Sequence, residues 1–183
     1  MTPISKADLR RTARAAAPAS PHESEAVCRA VSELLGLLAP RTVLTYLAMP
    51  GEIDLGRLPG DWPDIEWLLT RTPPAGWLTV HRFGAPRQRH PLGFDQPVSE
   101  SEELAPSDVD VILLPGLAFD STGARLGRGK GYYDELLGRC RPDVDTVGVC
   151  LERRVLAEVP VEPHDRPVRW LVTERGFRQA RSD

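Results

Sequence analysis

Cysteine is scarce in this chain: Cys28, Cys140 and Cys150 are its three, an odd number with no Cys-x-x-Cys spacing. That pattern excludes a disulfide framework and a thiolate zinc site, and it fits reduced thiols in a cytoplasmic protein without cysteine chemistry. No stretch approaches the ~20 consecutive apolar residues of a membrane helix, and the polar N-terminus has no apolar targeting core, so no membrane association is expected. Positive charge is not in excess either. The 23 Lys and Arg are outnumbered by 26 Asp and Glu, and the net charge of −3 argues against bulk nucleic-acid binding. Internal repeats and low-complexity tracts are missing as well. With 41% apolar and 27% charged residues, the 183-residue chain suits a single domain over residues 1–183 with a substantial core.

Helical and extended patterns alternate along it. Ser5 can cap a helix running through Ala17, and Ser20-Pro21 opens a second, with Ala26, Val27, Ala30, Val31, Leu34, Leu35 and Leu38 on one stripe. Both read as outer-layer helices. Strands are expected at Thr42 to Ala48, Ile65 to Thr70, Trp77 to His81, Val109 to Leu114, Thr146 to Leu151 and Trp170 to Val172. Helices are expected after Gly131 and around Arg153 to Glu158. Continuous apolar strands are buried on both faces, which implies an α/β fold: a three-layer α/β/α domain with a mainly parallel sheet. The Pro-rich region from Pro59 to Pro97 reads as loops between short strands.

Between Leu113 and Leu137 the chain reads LLPGLAFDSTGARLGRGKGYYDELL. A buried strand ends at Pro115-Gly116, a turn follows around Asp120 to Gly123, and then Arg125, Arg128 and Lys130 interleave with Gly127, Gly129 and Gly131 before a helix. Alternating glycines admit positive φ and close approach of a ligand, and the helix N-terminus offers unpaired N–H groups, so the stretch reads as a phosphate cradle. It is not a Walker A loop, because Gly131 stands where a hydroxyl should follow Lys130, nor a dinucleotide fingerprint, because Tyr132 replaces the third glycine. A bare GRGKG also fits a surface loop with solvated cations. The strand before it, the helix after it and the two tyrosines favour the cradle.

PGLAFDSTGARLGRGKGYYD resembles the signature of the 5-formyltetrahydrofolate cyclo-ligase family, also called methenyltetrahydrofolate synthetase. SKADLRRTAR, from Ser5, is similar to that family's Lys-x-x-Leu-Arg helix, and LTYLAMPGEID, from Leu44, to its strand and Met-Pro-x-Glu turn. Thr146 to Leu151, Val159-Pro160, Glu162, His164-Asp165 and Leu171 to Glu174 follow in the family's order. The poorest match lies between Leu55 and Pro106, where Gln96-Pro97 stands for a Glu-Pro, and Glu152-Arg153-Arg154 replaces a Gln after the sixth strand.

The resemblance implies a Rossmann-like fold of the NagB/RpiA/CoA transferase-like kind and a ligase of one-carbon metabolism. Its expected reaction is ATP- and Mg-dependent closure of 5-formyltetrahydrofolate to 5,10-methenyltetrahydrofolate, with ADP and phosphate released. Arg128 and Lys130 would be catalytic. Lys6, Arg10, Arg125, Leu126, Gly127, Arg128, Gly129, Lys130, Gly131, Tyr132 and Tyr133 would contact ATP; Leu47, Met49, Glu52 and Tyr132 the folate; Asp134 and Asp165 the Mg²⁺. Lys6 and Arg10, four apart on one helical face, are otherwise a solvated pair, and Asp134 otherwise a helix-dipole residue. His22, His81 and His90 have no partner pattern and read as surface or structural. Folate and ATP are the expected partners of a monomer, with no nucleic acid and no membrane. Two alternatives stand beside this: action on another pterin-like substrate, and a non-catalytic nucleotide or sugar-phosphate binding module on the same scaffold.

Overall fold

The computed structural model describes residues 5–181. Ser5 caps α1 (Lys6–Ala15) by accepting the Asp8 N–H at 3.2 Å. Ser20 caps α2 (Pro21–Leu38): its hydroxyl accepts the Glu23 N–H while the Glu23 carboxylate takes the Ser20 N–H at 2.8 Å, meeting two otherwise orphaned donors. Beyond these lie β1 (Thr42–Thr45), a short α3 (Leu58–Asp61), β2 (Glu66–Arg71), β3 (Thr79–Arg82), β4 (Arg87–Arg89) and β5 (Asp95–Pro97). The second half carries β6 (Val111–Pro115), β7 (Ala118–Asp120), β8 (Arg125–Leu126), α4 (Tyr132–Arg139), β9 (Asp145–Val149), β10 (Val155–Leu156), β11 (Trp170–Thr173) and β12 (Gly176–Gln179).

Among the described residues the main sheet runs β12-β11-β9-β6-β1-β2-β3. From β11 to β2 every neighbouring pair is parallel, and β12 and β3 close the two ends as antiparallel edges. The mainly parallel sheet expected from the apolar runs is therefore present. Side-chain alternation splits its core in two. Val43, Val111, Leu113, Val147 and Val149 pack with Val27, Val31, Leu34 and Leu35 of α2, whereas Leu44, Ile112, Leu114 and Leu171 pack with Leu136 of α4. β1 lies between β6 and β2, so the chain leaves it towards one end of the sheet and later returns on its other side. A crevice opens beyond the carboxyl ends of strands at such a reversal.

Two expectations need correction. The helix around Arg153 to Glu158 is a 3₁₀ turn at Glu152–Arg154 followed by β10, which pairs with β7 through Val155 opposite Phe119. That segment is too short to sustain a helix, and its apolar pair finds an open strand edge instead. α1 is not an outer layer of the main sheet. None of its residues is fully buried, and its Leu9 and Ala13 pack on Leu117, Ala118, Ala124, Leu126 and Val159 around the small β10-β7-β8 sheet.

The small sheet is docked by Phe119, which is wholly buried. Its ring fills space left by two glycines: a Cβ on Gly116 would lie 2.6 Å from Phe119 Cε2, and one on Gly148 2.5 Å from Cε1. Gly148→Ala should therefore lower stability by about 1–3 kcal/mol, the usual cost of overpacking. At roughly 2–4 °C per kcal/mol for a chain this size, calorimetry would read that as a lower Tm, and Phe119→Leu in the same chain should recover part of it.

Candidate active site

The crevice at the strand reversal is a cavity of about 490 Å³. Among the segments that line it are α1, the turn after β1, the β8–α4 loop and the stretch from Glu162 to Asp165. Gly129 and Gly131 take positive φ, 100° and 69°, as the cradle expectation requires, and Gly131 is the N-cap of α4. Arg10 ties α1 to this loop: its Nε donates to the Gly127 carbonyl at 3.0 Å, and a Cβ on Gly129 would come 3.4 Å from its Cζ. Arg128 and Lys130 remain exposed at the cavity rim.

Nearly every residue expected at the site lines this cavity: Lys6, Arg10, Leu47, Met49, Glu52, Arg125, Gly127 to Tyr133, Asp134 and Asp165. Leu126 is the exception. Its side chain is fully buried in the small-sheet core, and its carbonyl accepts the Leu117 N–H at 2.8 Å, because alternation along β8 turns it away from the cavity. Arg125, expected on phosphate, has a side chain only 6% exposed and is engaged 3.0 Å from Asp134 Oδ2.

Opposite charges are paired across the site. Lys6 Nζ lies 2.5 Å from Asp165 and 2.9 Å from Glu162. Burial works against a charged Asp165, but hydrogen bonds from Lys6 and the Glu162 N–H outweigh it and hold the carboxyl below its ordinary range. Burial likewise disfavours the charged Lys6, and its two carboxylate partners more than offset this, raising its pKa. Arg128 donates to Glu52 Oε1 at 2.7 Å, while Glu52 Oε2 accepts the Met49 N–H at 3.0 Å. Thus Glu52, expected on folate, and Arg128, expected on phosphate, face each other directly.

The tyrosines form the inner wall. Burial pushes the Tyr133 hydroxyl up to about 12, against a hydrogen bond with Thr70 that lowers it. Tyr46 is likewise raised well above its ordinary value, by burial and then by the Glu52 charge, and it donates to the Ile53 carbonyl at 3.1 Å.

Hard oxygen donors suited to a divalent cation are present, since Asp134 and Asp165 both line the cavity. Asp134 Oδ1 accepts the N–H of Arg166, the residue next to Asp165, at 3.2 Å. Among the described residues, Glu162, His164 and Asp165 form the group of three metal-capable side chains whose ligand atoms lie within 4.8 Å of one another.

Sequence reasoning missed the far wall, which β2 and the β4–β5 hairpin supply through Thr70, Thr72, His90, Leu92 and Phe94. His90, expected as surface or structural, is structural and lines the cavity as well: its ring stacks on Phe94 at 4.4 Å between centroids and its Nδ1 accepts the Leu92 N–H at 3.1 Å. His81 is structural as expected, buried with both ring nitrogens bonded, to Thr79 and to the Glu102 carbonyl. Periodicity carries no signal for such a wall, because hairpin tips acquire their neighbours only on folding.

The Lys6–Asp165 pair has a pH signature. A carboxyl held below its unfolded value of about 3.9 contributes stability above that pH and loses it as the pH falls through its folded value. Lys6→Met should cost roughly 1.5–3 kcal/mol at neutral pH, the scale of a charge-assisted hydrogen bond. Urea midpoints should then fall less steeply for the variant than for the wild type between about pH 5 and pH 2.

Residues 66–174, more than half of the chain, match the 5-formyltetrahydrofolate cyclo-ligase family. The 5-formyltetrahydrofolate cyclo-ligase of Mus musculus is 42% identical over 71 residues, 37% of this chain and 35% of that protein, so the match spans about a third of that relative's length. The 5-formyltetrahydrofolate cyclo-ligase of Saccharomyces cerevisiae is 30% identical over 180 residues, 84% of this chain and 85% of that one. The NMR structure of Aquifex aeolicus 5,10-methenyltetrahydrofolate synthetase matches with a TM-score of 0.82 at 32% identity, over 98% of this chain and 95% of that chain. No helix among the described residues is long and apolar enough to cross a membrane. In sequence and in fold, this chain belongs to the 5-formyltetrahydrofolate cyclo-ligase family.

Proposed function

We propose that the chain is a single catalytic domain that closes 5-formyltetrahydrofolate to 5,10-methenyltetrahydrofolate at the expense of ATP. The observation that carries this is one cavity with a cationic glycine loop at the N-terminus of α4 on one side and Glu52 on the other. The three unpaired cysteines agree with a reduced, cytoplasmic protein.

The chemical problem explains the arrangement. A formyl group on N5 is an amide, so its carbon is a poor electrophile and its oxygen a poor leaving group. Transfer of the γ-phosphoryl from ATP to that oxygen releases ADP and leaves an activated, imidate-like carbon. N10 then attacks the carbon and gives up its proton, the C–O bond breaks, and phosphate departs carrying that proton as the methenyl bridge forms. No protein nucleophile is needed. Arg128 and Lys130, at the cavity rim, balance the charge that builds on the transferring group, and the loop amides hold its oxygens. Lys6 and Arg10 bind the nucleotide phosphates. Glu52 accepts hydrogen bonds from the pterin ring N–H and amino group, beside Leu47, Met49 and Tyr132.

Asp134 and Asp165 would hold Mg²⁺, which when bound neutralises phosphate charge. The rest of the work belongs to the chain: binding two substrates in line, and excluding water behind the Tyr46 and Tyr133 wall.

Purified protein given 5-formyltetrahydrofolate, ATP and Mg²⁺ should develop the methenyl chromophore, and omission of either ATP or Mg²⁺ should abolish it. A folded protein that produces no absorbance change would sink the proposal. Lys130→Ala should lower kcat by about 10²–10³, as loss of one transition-state donor does. Glu52→Gln, by contrast, should act mainly on the KM for folate and leave the KM for ATP close to its wild-type value.

A further inference from the structure

Arg125 sits in the same run as Arg128 and Lys130, but its surroundings differ. They are exposed, whereas its side chain is 6% exposed, with its guanidinium 3.0 Å from Asp134 Oδ2 and 5.5 Å from the centroid of the Tyr133 ring. Two glycines leave room for it: a Cβ on Gly127 would lie 3.2 Å from its Nη1, and one on Gly116 3.4 Å from its Cγ. Among the described residues its Nε–H has no acceptor, and it is shut off from solvent, so no phosphate oxygen reaches that atom in this arrangement. The other oxygen of Asp134 is held by the Arg166 N–H at 3.2 Å. One carboxylate thereby joins β8, the first turn of α4 and the segment that carries Asp165.

We propose that Arg125 is a positioning residue and not a phosphate ligand. It fixes the rotamer of Asp134 against the segment of Asp165, so that both carboxylates are in place before a divalent cation arrives with the nucleotide. A carboxylate has about four lone-pair sites; the Arg166 N–H takes one on Oδ1 and Arg125 stands beside Oδ2 as an ion-pair partner, leaving capacity for a cation. Part of the glycine pattern thus accommodates a buried guanidinium, while Gly129 and Gly131 shape the loop around the ligand. This rests on the reading that the cavity takes a Mg²⁺-nucleotide with Asp134 as a ligand.

The two roles separate by calorimetry with the non-hydrolysable β,γ-imido analogue of ATP, titrated with EDTA or with Mg²⁺ into wild type, Arg125→Gln, Arg125→Lys and Lys130→Ala. In EDTA, both Arg125 variants should bind within about twofold of wild type, while Lys130→Ala binds clearly more weakly. The tightening that Mg²⁺ produces in wild type should shrink by about 10–100-fold in Arg125→Gln, the usual cost of losing a partner that orients a metal ligand. Arg125→Lys keeps the charge without the fork and should recover part of it. That variant also carries the test if the Gln variant does not fold. An EDTA affinity as poor as that of Lys130→Ala in either variant makes Arg125 a phosphate ligand and overturns the inference. So does Mg²⁺-dependent tightening equal to wild type. If wild type binds no analogue under either condition, the nucleotide reading itself fails and the inference goes with it.

Discussion

The buried carboxylate of Asp120 is the constraint on which the site depends. Its Oδ1 accepts the N–H groups of Thr122 at 2.9 Å and Ala124 at 3.2 Å, together with the Thr122 hydroxyl at 2.6 Å, which holds the β7–β8 turn. Its Oδ2 accepts the Val159 N–H at 2.8 Å and so pins the segment that continues to Asp165. One side chain thereby fixes both the turn that launches the glycine loop and the strap that faces it. A polar group this deep is tolerated because both its oxygens accept hydrogen bonds, and Phe119, the preceding residue, locks the same turn against the main sheet.

Outward from that anchor, the site is an arrangement of opposed charges already in contact: Lys6 with Asp165, Arg125 with Asp134, Arg128 with Glu52. These pairs differ in kind. Arg125 is shut away, and breaking its contact would strand a buried charge, which is strongly unfavourable. Arg128 is 41% exposed, so water competes for it and it can exchange Glu52 for an incoming phosphate at modest cost. The same residue types therefore serve as framework or as reagent according to burial.

Much of this was legible in the sequence, and the exceptions share a cause. The caps at Ser5 and Ser20, the α2 stripe and the parallel apolar strands are local patterns, and each appears within a few residues of where it is expected. The resemblance to the family was carried by a contiguous signature, and its residues gather in one cavity with the exception of Leu126. What went unread was decided by contacts between distant segments. β10 exists because Val155 and Leu156 find the edge of β7, and the aromatic wall exists because the hairpin that bears His90 and Phe94 folds over β2. Leu126 turns inward for a reason no motif encodes, namely the side-chain alternation of a two-residue strand against the α1 face.

By itself the sequence determined the α/β class, the mainly parallel sheet and the presence of a cationic glycine loop leading into a helix. Hydrophobic periodicity, capping and glycine's access to positive φ act over a few residues and need no partner. Only the tertiary structure decided which cations are free and which are spent. Lys6 meets Asp165 across 159 residues of chain, and Arg128 meets Glu52 across 76. The worth of such a charge depends on distance and desolvation, and both are set when segments far apart in sequence are brought to the same edge of the sheet.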